Sequence, residues 1–525
     1  MTSLPERSGI SPGRLSSGHW ALIGVLVALL AVRFAYIRMD PPGGILCWSG
    51  AYLADEALYL KPAKLYHSFH VWRNEQDLNA SYYHSFLFVL WTMALSQAFG
   101  PDLLVCRYAS VVVSIASIFV FYRICRCAMA RTGSLVSCTL VAASFDHFAY
   151  SRLAFAEPLG ALLSLVGILF WVNWRGQRRN VVASTAMAVL AVLAKLNLAY
   201  VFLTIALLWL RQAASAFLTG RRRLGAEILA IQLAACCVLG AARAAIEHGA
   251  ADDARLVRAL RGGFEESASV QDLLRNETWL MWKHITWPWR RALVFAALLG
   301  LPQWITPRRR SRGEETASAA GPSCGGSSRP LVGLATWLVV GVLFFGFFGY
   351  QVTRWLYFSV FPLAFLCTSL IARWVPPRHC GVAFSALIAL HLVSQASTVL
   401  QYAERPEKTS LIDSARDVAR RIETGASETV LIGNCGHLAA LYGEHIRPIV
   451  GTCITPEDLR ERIRRWHPSY FVGRSDELRP IQEHCADLIA GFELVARYRV
   501  IENYVGGEDM RLIRLVYREG ASPPQ

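Results

Sequence analysis

Asp55, Glu56, Arg107, Arg152, Glu157, Lys195 and Arg354 stand at the edges of apolar runs, in LADEALYL, VCRYAS, YSRLAFAEP, VLAKLNLAY and VTRWLYF. Charge near membrane depth is costly and usually functional. The chemistry of these residues is complementary. A carboxylate can take the proton from an attacking hydroxyl. Arginine and lysine can hold a phosphate, arginine with two parallel N–H bonds. Blander readings exist for single members: Asp55-Glu56 as a solvated pair on a loop helix, Arg107 as a side chain snorkelling to the interface. Arg152 and Glu157 are five apart, so a simple i,i+4 pair does not account for them. Lys195 interrupts an otherwise apolar stretch.

The elements that must position these residues follow from hydropathy. Of 525 residues, 54% are hydrophobic and 17% charged, and the mean hydropathy is +0.34. This is a membrane protein by composition. Transmembrane helices are expected at 19–38, 105–122, 133–150, 154–172, 181–194, 197–210, 224–246, 292–306, 331–349, 356–372 and 380–399. The first has no small-residue cleavage site after it and is expected to stay. Arginines cluster in every second loop: Arg123 and Arg126, Arg175 to Arg179, Arg221 to Arg223, Arg308 to Arg312, Arg373 and Arg378. The positive-inside rule then puts the N-terminus in the cytoplasm and the seven charged residues above at or near the outer ends of helices. The alternation holds only if the apolar run 84–99 does not cross, so it is expected to be juxtamembrane or re-entrant on the outer face. About eleven spans result, in a polytopic α-helical membrane protein with long outer loops at 39–104 and 247–291.

Near residue 401 the character changes. ETVLIGN, IRPIVG, SYFVGR, FELVARYRV and MRLIRLVYR read as strands, LIDSARDVARRIE and TPEDLRERIRRW as helices. A transmembrane part, 1–400, is therefore expected to be followed by a small extracytoplasmic α/β domain, 401–525.

The net charge of +15 is explained by topology, and nucleic acid is not an expected partner. GNCGH is not a phosphate-binding glycine loop, so a nucleotide site in the last domain is not expected. No CxxC pair occurs, and no zinc site is predicted. Cys435, Cys453 and Cys485 leave one disulfide open if this part is extracytoplasmic. A transporter or flippase of a lipid-linked or anionic substrate is the main rival function, but inverted repeats and interrupted midplane helices are not evident. A non-catalytic assembly protein is a third reading.

The order of the pieces resembles the membrane-embedded GT-C glycosyltransferases, of the protein O-mannosyltransferase and lipid A aminoarabinose transferase type. The matching elements are DEALY in the first outer loop, SYYHSFLFVLW, GPDLLVCRY, SRLAFAE, the lone Lys195 and RWLYFSVFP. The match runs in order over about residues 20–400, and the C-terminal α/β domain also occurs in bacterial relatives. YYHSF replaces the family's His-Pro-Pro stretch, and Glu157 stands where Asp is common.

The resemblance implies an inner-membrane enzyme moving a sugar from a polyprenyl phosphate to an extracytoplasmic lipid, glycan or protein, with inversion. Asp55 would be the base, with Glu56 and Glu157 beside it. Arg354, Lys195, Arg107 and Arg152 would hold the donor phosphate. Tyr59, Tyr83, His84 and Tyr357 would line the substrate pocket. A divalent metal on Asp55 and Glu157 stays open; two scattered carboxylates are not a ligand signature, and none is predicted.

Overall fold

The computed structural model describes residues 16–40, 55–72, 74, 80–249, 328–348, 352–404, 410–423, 427–433, 435–449, 456–499 and 510–518. Elements are numbered over these residues. The helical part comprises α1 (Ser17–Ala35), α2 (Asp55–Phe69), α3 (Ala80–Phe99), α4 (Leu103–Arg126), α5 (Arg131–Ala143), α6 (Phe145–Ser151), α7 (Ala156–Val172), α8 (Arg178–Ala194), α9 (Ala199–Leu218), α10 (Arg222–Gly249), α11 (Arg329–Phe348), α12 (Val352–Trp374) and α13 (Pro377–Ala403).

Helix is the form these runs must take, because hydrocarbon leaves backbone N–H and C=O groups no partner but each other. Large side chains lie exposed on the flanks of the bundle, among them Val112, Phe119, Leu233, Val382 and Val393. Lipid is the environment that suits such a surface. Inside, Trp171, Trp209, Trp337, Phe121, Tyr200 and Phe361 belong to one continuous core. The chain is a membrane protein.

Six described helices are long and apolar enough to cross, or seven if the α6–α7 pair, bent by 112°, is one span. The expected spans from 19–38 to 224–246 and from 331–349 to 380–399 all fall on helices. The form differs at 133–150, which is two helices, because Ser144 has an extended backbone (φ −68°, ψ 130°). Gln395 on α13 accepts the Phe145 amide that this break exposes, at 2.9 Å. The expected span 292–306 and the loop 247–291 beyond α10 lie outside the described residues. The apolar run His84–Phe99 is a short helix; at 1.5 Å per residue it covers roughly 24 Å, less than the ~30 Å hydrocarbon core.

The α/β part comprises α14 (Ser410–Ile422), β1 (Thr429–Ile432), α15 (Gly436–Ala440), β2 (Ile446–Ile449), α16 (Pro456–Trp466), β3 (Tyr470–Gly473), α17 (Ser475–His484), β4 (Ile489–Tyr498) and β5 (Met510–Tyr517). The sheet order is β2-β1-β3-β5-β4. β1 is parallel to β2 and β3, whereas β5 is antiparallel to β3 and β4. Strand alternation sends Leu431, Val472 and Leu512 to one apolar core and Ile432, Phe471 and Ile513 to another. Cys435 lies in the first core and Cys485 in the second; Cys453 lies outside the described residues. Gly433 ends β1 at φ +128°, where a Cβ would fall 2.1 Å from the Val472 carbonyl oxygen. Only glycine fits so close an approach of two strands. The short α15, Gly436–Ala440, follows shortly after. α17 escaped the sequence reading because Pro480 stands inside it.

Candidate active site

Glu56, Arg107, Arg152, Glu157 and Lys195, among the charged residues picked out by sequence, lie at one end of the bundle, the end that carries the α/β domain. Arg107, in the second turn of α4, makes a bidentate pair with Glu56 of α2, Nε to Oε1 at 2.9 Å and Nη2 to Oε2 at 2.6 Å. Its Nη1 donates to the carbonyls of Ile37 and Met39 at 2.8 and 2.9 Å. Arg152 donates to the carbonyls of Tyr36, Met39 and Asp40 and lies 4.9 Å from the Tyr402 ring centroid. These carbonyls belong to the segment leaving α1, where an intrahelical partner is missing and positive charge is favoured.

Glu56 does a second job. Its Oε1 accepts the Ala154 amide at 2.6 Å, in the corner SRLAFAE between α6 and α7. One carboxylate therefore joins the start of α2, the start of α4 and the corner before Glu157. The backbone of Asp55, adjacent to Glu56, is carried along; its side chain lies outside the described residues.

Glu157 and Lys195 form a second buried ion pair. Lys195 caps α8 with an extended backbone, φ −158° and ψ 122°, and a short 3-10 turn Leu196–Leu198 leads into α9. That turn packs on α7 at Gly160, where a Cβ would meet Leu198 Cδ1 at 2.2 Å. Lys195 comes within reach of Glu157 because position 160 has no side chain. His84 sits at the start of α3, next to the non-helical Ser85 (φ −148°, ψ 45°). Burial, then the positive charges of Arg243 and Lys195, push its imidazole down to about 4. His84 is thus neutral at pH 7, with the positive charges of Arg243 and Lys195 nearby. Arg243, on the last turns of α10, was missed by the sequence reading. Its only sequence signal was a lone arginine near the end of the apolar run 224–246.

The expected site residues fall in different surroundings. Arg107 and Arg152 were expected to hold phosphate. Both are fully enclosed, with 1% and 0% exposure; Arg107 donates to Glu56 and backbone carbonyls, Arg152 donates to backbone carbonyls through its terminal nitrogens, and its Nε is buried without a hydrogen-bond partner among the described residues. In this arrangement both arginines hold the segment leaving α1. Glu56 is likewise occupied by three donors. Tyr357 was expected in the substrate pocket, but it is buried in the bundle. Its hydroxyl pairs with Ser114 at 2.9 Å, and its ring stacks on His147 at 5.1 Å. Tyr59 packs edge-on to Phe88 and Phe155. The side chains of Tyr83 and Arg354 lie outside the described residues. Among the described residues no group of three or more His, Cys, Asp or Glu is gathered as metal ligands. Arg33 is a further buried cation unforeseen in the sequence, donating to Ser151 at 2.8 Å and Ala142 at 2.9 Å and pairing with His147 Nδ1 at 2.9 Å.

No protein-family model matches the sequence, and no curated protein matches it. Similarity appears in three dimensions. ArnT from Cupriavidus metallidurans bound to undecaprenyl phosphate superposes with a TM-score of 0.54 at 13% identity, over 97% of this chain and 100% of that one. The apo state of the same protein gives a TM-score of 0.55 at 13% identity and the same coverage. At that identity the likeness is one of fold, and it extends through the α/β domain: the chain is built on the GT-C architecture, as the glycosyltransferase ArnT is.

Proposed function

We propose that the protein transfers a sugar from a polyprenyl-phosphate donor to an extracytoplasmic acceptor. The observation that carries this reading is the closeness of His84, Lys195 and Arg243, with Glu157 paired to Lys195. They come from three separate helices, at the end of the bundle where Asp55 begins α2. The bound lipid of the similar ArnT structure, undecaprenyl phosphate, is the type of anion such a cluster suits. The arginine pattern of the loops supports placing this end outside the cytoplasm, in the inner membrane.

The chemistry is a displacement at the anomeric carbon. The acceptor oxygen forms a bond to C1 and loses its proton to the Asp55 carboxylate. The C1–O bond to phosphate breaks, and its electron pair stays on the departing polyprenyl phosphate. The phosphate gains negative charge as this happens, so fixed positive charge favours the transition state over the ground state. Lys195, Arg243 and Arg354 supply that charge. Glu157 holds Lys195 in place and keeps the cluster from repelling itself. Attack opposite the lipid inverts the anomeric centre.

The test is single-turnover transfer from labelled polyprenyl-phosphate sugar in purified protein, with donor binding measured separately. Wild type should transfer. Asp55→Asn should bind donor normally and lose about 10² to 10⁴ in rate, the usual worth of a general base. Lipid binding with movement across the bilayer but no transfer, in wild type, would make the protein a flippase instead.

A further inference from the structure

Helix α2 is shared by the two parts of the molecule. Its Ala57 and Leu60 are buried in the same apolar core as Leu411, Ala415 and Leu438 of the α/β domain. One face of the sheet is therefore covered by α14, α15 and α2 together. Toward the end of α2, Lys64 is 2% exposed. Its Nζ donates to the Gly443 carbonyl at 2.7 Å, to the Glu444 carbonyl at 3.0 Å and to Ser68 Oγ at 2.8 Å. Three N–H groups meet three acceptors, so the buried ammonium is fully satisfied. Just past α2, Asn74 Nδ2 donates to the Pro448 carbonyl at 2.9 Å, and Arg447 Nη1 donates to Asn74 Oδ1 at 3.0 Å. The Arg447 guanidinium lies 4.3 Å from the Phe69 ring centroid.

Asp55 opens this helix, about 13 Å of helical rise from Lys64. We infer that the α/β domain is part of the catalytic unit. By gripping α2 through Lys64 it sets where Asp55 stands, and Lys64 is a positioning residue for transfer. The inference rests on the role proposed above for Asp55. Glu56 fixes the near end of α2 to the bundle, and Lys64 fixes the far end to the domain. A helix held at one end only can pivot, and a displacement of about 1 Å at a reacting group costs up to 10²-fold in rate.

The experiment uses the full-length protein in nanodiscs, with Lys64→Met, Lys64→Arg and Arg447→Met. Two readouts are taken: hydrogen exchange over residues 55–69, and single-turnover transfer at varied donor concentration. Lys64→Met should exchange faster over 55–69. It should lose about 10-fold in the rate at saturating donor, with half-saturation nearly unchanged. Lys64→Arg, which can still reach two carbonyls, should recover part of the rate. Arg447→Met, on the domain side, should show the same changes more weakly, and it carries the test if Lys64→Met does not fold. Unchanged exchange in Lys64→Met would overturn the grip. Faster exchange with an unchanged rate, or a loss expressed only in half-saturation, would overturn positioning. A wild type that transfers nothing removes positioning together with the proposed function, whereas the exchange readout still tests the grip itself.

Discussion

Arg107 and Lys195 are both buried cations paired with a glutamate at the same end of the bundle, but the two pairs are set in opposite surroundings. Around Arg107 the positive charge meets acceptors on every side: both oxygens of Glu56 and the carbonyls of Ile37 and Met39. Around Lys195 further positive charge is added, from Arg243, beside a neutral His84. The first arrangement is electrostatically complete and joins α1, α2, α4 and the α6–α7 corner. The second places two positive charges near His84. Burial and a salt bridge, seen alone, do not separate a structural charge from a binding one; the sign of the remaining neighbours does.

The comparison is broken most forcefully at Arg107. Arg107→Met would leave Glu56 buried with a single donor, the Ala154 amide. Removing one partner of a buried pair costs about 3–5 kcal/mol. The expected outcome is a large drop in thermal stability and in yield of folded protein, with Arg107→Met plus Glu56→Gln partly restoring it. A stable Arg107→Met that merely binds donor poorly would return Arg107 to the phosphate site.

Arg243→Gln tests the other pair. Arg243 is partly exposed, so stability should hardly change. Losing one charged contact to phosphate should weaken donor binding about 10-fold, as measured by titration with labelled polyprenyl phosphate. With Arg243 gone, the His84 ring should also protonate at higher pH, readable as a shifted pH profile of donor binding. Unchanged affinity would remove α10 from the site.

Asp40 sharpens the comparison with the smallest effect. It ends the segment that Arg152 holds, and its Oδ2 accepts the Leu411 amide at the start of α14 at 2.9 Å. Burial pushes its carboxyl up to about 7, against the opposing pull of the Leu411 hydrogen bond and of Arg107. The folded state thus binds a proton that the unfolded state releases near pH 4. Its stabilising contribution is complete below about pH 4 and is lost as pH rises through about 7. Melting temperature should fall by a few degrees between pH 5 and pH 8. Asp40→Asn should flatten that slope and be no less stable at pH 8. A wild-type profile without slope would show that Asp40 is ionised throughout.

Much of this molecule is written locally. Apolar runs of span length must form helices, because nothing else satisfies the backbone in hydrocarbon. VLI, YFVG and RLIRLVY are short runs rich in β-branched and aromatic residues, and they are strands of the observed sheet. The corner residues of SRLAFAE and the lone Lys195 are conspicuous because charge next to an apolar run is rare.

What the charges do was decided only by folding. Glu56 and Arg107 are separated by 51 residues, Glu157 and Lys195 by 38, and Lys64 and Gly443 by 379. No periodicity links such positions. A lone arginine near a helix end looks the same in sequence whether it snorkels, ties a glutamate, as Arg107 does, or faces an imidazole, as Arg243 does. The difference lies in which groups the packing of α2, α4, α8 and α10 brings within a few ångströms. Electrostatic energy in a dry interior depends on that distance and on the surrounding polarity, and both are properties of the packed structure.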